Sequence, residues 1–393
     1  MNPEETFNYE KCETCGTCLS KCNYFNFTQD EAAREIANIK NGLHSIVLDK
    51  CAGCWSCDVY CPNNCRPYSL IRSRWHERIA EEGFPERARF LMPTQFPNFR
   101  SIVKHEPEEA RFLEEIKEPP EGETVLYTGC NTLVIAKTLQ SGILDGLPIF
   151  GSFDACCGEM YYRMGAFESA RESGLKMKRI FSGLKAKKIV FACAAGMNML
   201  TNVYPQEFGI DFEFESQLLT QWLEEKIDSG QIEIKNPLNR KVTVQDSCHA
   251  KVMDPDIHES PRRLLEKIGV EVVEMEKTKE DSMCCGVAAG CSRYSIVDLT
   301  RTGFIRVAGT RVPGPDITVS YCNGCLLTMA IMRQFMMWAP PVLPLIQLVQ
   351  LAAGEEVDLG LTARRARQVL FGIAKHSLPK YLSRRRFQID PIG

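Results

Sequence analysis

The amino-terminal stretch lacks the basic segment and apolar run that send a protein out of the cell. "MNPEETFNYEKC" is acidic and polar instead, which leads us to expect a cytoplasmic protein. Charge of either sign is not in excess. The formal net charge is −3 over 393 residues and aromatics make up 9%, so neither a nucleic-acid footprint nor the composition of a disordered chain is present. No G-x-G-x-x-G fingerprint or other nucleotide loop occurs, so any flavin that takes part must be held by a partner. Long uncharged runs are also scarce. "QFMMWAPPVLPLIQLVQLAAG", residues 334–354, has 21 residues and reaches membrane length, but its three prolines and three glutamines fit a buried amphipathic helix, and we expect no transmembrane segment.

Against these absences stand nineteen cysteines. In a chain with no export mark, cysteines more often bind metal or do redox chemistry than build a disulfide framework. Nine of them fall in residues 1–70. "CETCGTCLSKC" places Cys12, Cys15, Cys18 and Cys22 at C-x2-C-x2-C-x3-C, and "CAGCWSCDVYCP" places Cys51, Cys54, Cys57 and Cys61 at the same spacing. This is the two-cluster ferredoxin signature, in which the fourth cysteine of each run serves the other cluster. The reading assigns Cys12, Cys15, Cys18 and Cys61 to one cubane [4Fe–4S] cluster, and Cys51, Cys54, Cys57 and Cys22 to a second. Zinc would give no reason for a third evenly spaced cysteine in each run. Asn23 stands where proline usually follows the fourth cysteine, and Cys65 is left over. Between the runs, Thr28, the apolar spacing and a closing glycine predict a short helix in "TQDEAAREIANIKNG". Residues 68–117 read as helical with breaks at prolines, and the acidic stretch ending at Pro119–Pro120 reads as a linker.

From residue 124 short β-rich runs alternate with helical ones. "TVLYTGC", "KKIVFAC", "KVTVQDSC" and "DITVSYC" each run as a strand into a cysteine, which predicts ligands on loops at strand C-termini of an α/β unit. The pattern occurs twice. The first half runs from Cys130 through the Cys156–Cys157 pair to Cys193; the second runs from Cys248 through Cys284–Cys285 to Cys322 and Cys325. Adjacent cysteines lie about 3.8 Å apart at Cα, too close for an unstrained disulfide, so each pair is better explained by two thiolates aimed at one metal centre. The expected fold class is therefore α+β: a helical two-cluster ferredoxin-like domain (1–100), an acidic linker (101–123), two α/β lobes related by an internal repeat (124–235 and 236–360) and a basic C-terminal helix and tail (361–393). The basic tail, with Arg364, Arg365 and Arg384 among its cations, reads either as a solvated face or as a dock for an acidic partner.

The order C-x(n)-C-C-G-x(n)-C-x-x-C resembles the cysteine-rich CCG domain of heterodisulfide reductase and of its relatives in glycolate, lactate and glycerol-3-phosphate oxidation. A two-cluster ferredoxin ahead of two such lobes resembles the heterodisulfide reductase D-type subunit over almost the whole chain. The resemblance implies a non-cubane [4Fe–4S] cluster on Cys248, Cys284, Cys285, Cys322 and Cys325. Cys291 reads as a small buried neighbour and not a ligand, and His249, directly after Cys248, reads as a supporting residue behind the ligands or as a donor to a sulfur or a bound substrate. The first half departs from the pattern, because "CAAG" puts Gly196 where the fifth cysteine belongs, leaving Cys130, Cys156, Cys157 and Cys193. Four thiolates suit a further [4Fe–4S] cluster, an altered cluster with an open iron, or zinc. The resemblance further implies an electron-carrying subunit of an anaerobic oxidoreductase complex. Its partners would be a heterodisulfide reductase A-like flavoprotein and other redox subunits, as in electron-bifurcating assemblies and class II benzoyl-coenzyme A reductase complexes. The alternative is a catalytic subunit that reduces a disulfide or another thiol-linked substrate at the non-cubane cluster.

Overall fold

The computed structural model describes residues 6–392. At the front, the helix Gln29–Lys40 starts at the expected cap: Thr28 Oγ1 accepts from the Glu31 amide (3.3 Å) while the Glu31 carboxylate takes the Thr28 amide (2.8 Å). Its buried face is Ala32, Ile36 and Ile39, which lies on the long helix Pro67–Glu82 with its buried Tyr68 and Trp75. The sequence predicts helix in pieces to residue 117, but after Glu82 the chain is mostly irregular. A two-residue strand β1 (Phe84–Pro85) and a 3₁₀ segment Glu86–Leu91 lead into the loop that carries Arg100. Pro85, Pro93 and Pro97 account for this, since each fixes φ and removes an amide donor.

Two four-stranded sheets follow, each entirely parallel. In the first, β2 (Thr124–Tyr127), β3 (Ile149–Phe150), β4 (Lys188–Phe191) and β5 (Glu215–Leu218) lie in the order β3-β2-β4-β5. In the second, β6 (Lys241–Gln245), β7 (Glu271–Val272), β8 (Ile317–Ser320) and β9 (Val342–Pro344) repeat that order as β7-β6-β8-β9. The cores are buried runs such as Val125–Tyr127 and Ile189–Phe191. The two central strands of each sheet send the chain off in opposite directions, which makes their C-terminal ends a topological switch point. Cys130 and Cys193 follow β2 and β4; Cys248 and Cys322 follow β6 and β8.

Around the sheets the remaining segments fold back on the body. The acidic stretch carries a helix, Pro107–Glu115, whose buried Glu109 pairs with buried Arg365 of the helix Leu361–Gly372. Near the chain's end, β10 (Arg386–Phe387) pairs antiparallel with β1. Within the long uncharged run, Val342–Pro344 is strand and Leu345–Ala352 is a buried eight-residue helix. Among the described residues no helix is long and apolar enough to cross a membrane.

Candidate metal centres

Each cysteine pair sits where the backbone bends sharply. Gly158 (φ 71°) and Gly286 (φ 109°) follow the pairs, and each opens a short helix, Glu159–Met164 and Val287–Arg293. A side chain at either position would be strained by its φ and would collide: a Cβ at Gly286 would lie 2.4 Å from Leu299 O, and one at Gly158 would lie 2.6 Å from the Tyr204 hydroxyl. Two consecutive thiols can therefore face inward only because glycine comes next.

In the second half the structure draws together the five cysteines of the motif. Cys285 and Cys322 each accept from two neighbouring thiols in a linked set. Hydrogen bonds from Cys284 and Cys325 hold Cys285 well below the ordinary thiol range, and bonds from Cys193 and Cys325 do the same for Cys322. Burial pushes Cys248 up to about 12, opposed by Arg163, whose Nη2 donates to its sulfur at 3.6 Å. Cys291 is buried on the helix Val287–Arg293 and is raised by burial first.

The first half is gathered less completely. Cys130 and Cys156 have their sulfurs 3.4 Å apart, and hydrogen bonds from Cys130 and Cys157 hold Cys156 well below its usual range. Buried Arg100 faces these three, giving Nε to Asn131 Oδ1 at 3.0 Å. Cys193 stands at the join of the two halves, with its thiol hydrogen-bonded to Cys322. Nothing in the sequence spacing points to that contact. Gly196 lies in the helix Ala194–Asn198 with room for a side chain, since a Cβ there would meet Tyr127 and Phe191 at 3.6 and 3.9 Å. Gly196→Cys is therefore expected to fold normally and to raise bound iron in the first half, read as added iron per chain and a changed EPR spectrum. An unchanged iron content and spectrum would show that the missing thiolate is not what distinguishes the halves.

In the front segment, burial and then the charge of Cys61 raise Cys18, with Cys15 and Cys12 adding to it. Burial and then Cys54 push Cys22 to about 11 and Cys51 to about 12. Cys57 is raised by burial, Asp58 and Cys51. Cys18 thus has Cys61 of the other run beside it, and Cys22 has Cys54. Cys65 is buried beside Cys61 and Cys12, and its pKa is raised to about 12, by burial first and then by Cys61. Among the described residues no three Cys, His, Asp or Glu side chains converge as they would on a single ion. The grouped side chains are all thiols, the donors that iron–sulfur clusters take on separate irons.

The second front run is docked on the second half. The Tyr24 hydroxyl accepts from the Cys284 amide at 2.6 Å, and Tyr24 is raised by burial, then Cys284 and Cys54, which places it between the two sites. Asn23, the residue in the place of proline, donates to Asp281 O at 2.9 Å. Ser292 and Arg293 both donate to Cys51 O, at 3.1 and 3.3 Å, and Lys251 Nζ reaches Ser56 Oγ and Ser282 O, each at 2.6 Å.

Arg163 is the junction of all three parts. It is 1% exposed, donates to Gly53 O and Cys248 Sγ, pairs with Glu159, and lies 4.6 Å from the Trp55 ring centroid. His249 Nε2 is 2.8 Å from Arg163 Nη2 and 3.1 Å from Glu159 Oε1, and its Nδ1 faces Asn198 at 3.1 Å. Despite its burial, which works the other way, Glu159 is held down at about 2 by Arg163 and His249. Sequence reasoning finds His249 but not Arg100 or Arg163, because a lone arginine in or beside a helix carries no pattern.

Residues 242–330 match the CCG family, described as a cysteine-rich domain. The chain is 25% identical to the EtfAB:quinone oxidoreductase of Syntrophomonas wolfei over 340 residues, covering 77% of this chain and 46% of that protein. It is 26% identical to the D-type subunit of the dihydromethanophenazine:CoB–CoM heterodisulfide reductase of Methanosarcina barkeri, covering 76% and 74%. It is 29% identical to the probable iron–sulfur-binding oxidoreductase FadF of Bacillus subtilis, covering 45% and 25%. The chain thus spans about half the length of the first of these relatives and about three quarters of the second.

Proposed function

We propose that this chain, a heterodisulfide reductase D-like iron–sulfur protein with a CCG domain, relays electrons inside a larger cytoplasmic oxidoreductase complex. Cys12, Cys15, Cys18 and Cys61 would hold one [4Fe–4S] cluster and Cys51, Cys54, Cys57 and Cys22 a second. Cys248, Cys284, Cys285, Cys322 and Cys325 would hold a non-cubane cluster, and Cys130, Cys156 and Cys157, with Cys193 at their edge, a further metal group. Iron–sulfur clusters, when bound, take up and give up electrons one at a time.

The observation that carries the reading is Tyr24. Its ring lies between the second front site and the second-half site and hydrogen-bonds to the backbone of Cys284. Around it, Asn23, Lys251 and Ser292 fix the front segment against the second half, and the buried Trp55 packs on Tyr68 and His249. Cys15 is exposed, which makes the first front run the face that meets an electron donor or acceptor. A partner surface is also supported by Phe335, Met337 and Trp338, all more than half exposed at the end of the Met-rich stretch. The partner we propose is a heterodisulfide reductase A-like flavoprotein, which the resemblance of the cysteine motifs implies; the relatives' names themselves give only redox enzymes and a subunit of one.

The rival reading, disulfide reduction by this chain itself, needs room for substrate at the second-half site. The cavity lined by Cys248, His249, Cys322 and Cys325 holds about 70 Å³, well under the roughly 300 Å³ at which ligand pockets begin. The role is tested by preparing the chain anaerobically and measuring iron, acid-labile sulfide and zinc alongside EPR. The relay predicts about sixteen irons per chain when all four sites carry four-iron clusters, with distinct signals for the front and second-half sites. Zinc without labile sulfide would overturn it.

A further inference from the structure

The incomplete first half has a larger cavity at a cysteine than the complete second-half site. A cavity of about 310 Å³ reaches Cys156, the half-exposed member of its pair, whose neighbour Cys157 is buried. That volume is at the lower end of the range for organic ligands, roughly 300–1,000 Å³, and more than four times that of the cavity at Cys248.

Its lining is charged in one sense. Among the described residues, Arg100, Lys117 and Lys176 line it against a single carboxylate, Asp154. Arg100 is 3% exposed and held in place by Asn131, so its charge is a fixed part of the wall. Lys117 has its ammonium 2.6 Å from Glu114, which does not line the cavity. Among the described residues Lys176 makes no hydrogen bond or ion pair, although it is half-buried. Its ammonium is therefore available to give a charge-assisted hydrogen bond to an anion that enters the cavity. Phe96 and Phe153 supply apolar wall, and the hydroxyls of Thr94 and Tyr161, 2.6 Å apart, line the interior.

We infer that this cavity binds a small organic carboxylate, its acid group between Lys176 and Lys117 and its body directed at Cys156. The inference goes beyond the relay, which needs no ligand in the first half. The shape of the site favours a compact acid over a phosphorylated cofactor. Among the described residues there is no glycine-rich turn at the mouth to cradle a phosphate, and the walls are side chains.

The test uses the iron-loaded full chain, kept anaerobic, and calorimetric titration with acetate, succinate and glutarate. Succinamide serves as the uncharged counterpart of succinate. At least one acid is expected to bind saturably while succinamide does not, and Lys176→Gln is expected to weaken that binding tenfold or more. Among the described residues Lys176 makes no hydrogen bond or ion pair, so this variant should keep its fold; Lys117→Gln gives a second, independent loss at the mouth. The bound acid is also expected to change the EPR spectrum of the first-half site and not those of the front sites. Absence of saturable binding by all three acids would overturn the proposal, as would binding equally strong in Lys176→Gln. Neither result would touch the relay, which is read from iron content and electron transfer.

Discussion

Replacing Arg163 with methionine should destabilise the chain by about 3–5 kcal/mol, because it leaves the Glu159 carboxylate buried without its partner. It should also change the second-half site electrically. The guanidinium touches Cys248 at 3.6 Å, and a unit charge about 5 Å away in an effective dielectric of about 20 interacts by about 3 kcal/mol. Protonation of Glu159 or rearrangement of His249 offsets part of that. The expected result is a shift of about tenfold toward the oxidised form, or ~59 mV for one electron. Arg163→Lys separates charge from shape. Lysine keeps a cation beside Cys248 but gives up the forked contacts to Gly53 and Glu159, so the potential should stay near that of the wild type while thermal stability falls. Equal potentials in wild type, Arg163→Lys and Arg163→Met would show that Arg163 only fastens the parts together.

Cys22→Ser should remove about four irons per chain and abolish the EPR signal of the site built on Cys51, Cys54 and Cys57. The site on Cys12, Cys15 and Cys18 should survive. We expect that outcome because Cys22 lies beside Cys54 and Cys18 beside Cys61. The effect should extend further. Tyr24 lies two residues on and carries the bond to Cys284, so loss of the Cys51 site should slow reduction of the second-half site by reductants that enter at the exposed Cys15 edge. Disappearance of the Cys12-based signal instead would contradict the crossed arrangement.

The sequence is most readable where chemistry repeats at fixed spacing. All four strands that run into cysteines, β2, β4, β6 and β8, form where the apolar runs place them. The glycines after the cysteine pairs have the positive φ that the inward-facing thiols require. The Thr28 cap opens its helix as expected. The edge strands β3 and β7 do not stand out, since two-residue strands have no period to detect. Contacts between distant segments are the least accessible. Asn23 departs from the sequence pattern, yet its amide docks onto Asp281. The acidic stretch has the composition of a linker, but Glu109 meets Arg365, 256 residues away, and no local signal joins the two. Spacing alone groups Cys193 with the first half, whereas the folded chain hydrogen-bonds it to Cys322 of the second.

The central claim is that the chain passes electrons on and does not itself cleave a disulfide. The direct measurement is to reduce the isolated, iron-loaded chain, remove excess reductant, and add a small disulfide under anaerobic conditions while counting the thiols released. The relay predicts no stoichiometric cleavage by the chain alone, with electron flow restored when its partner subunits are added. Two thiols released per disulfide at the expense of the chain's own stored electrons, with no partner present, would contradict it.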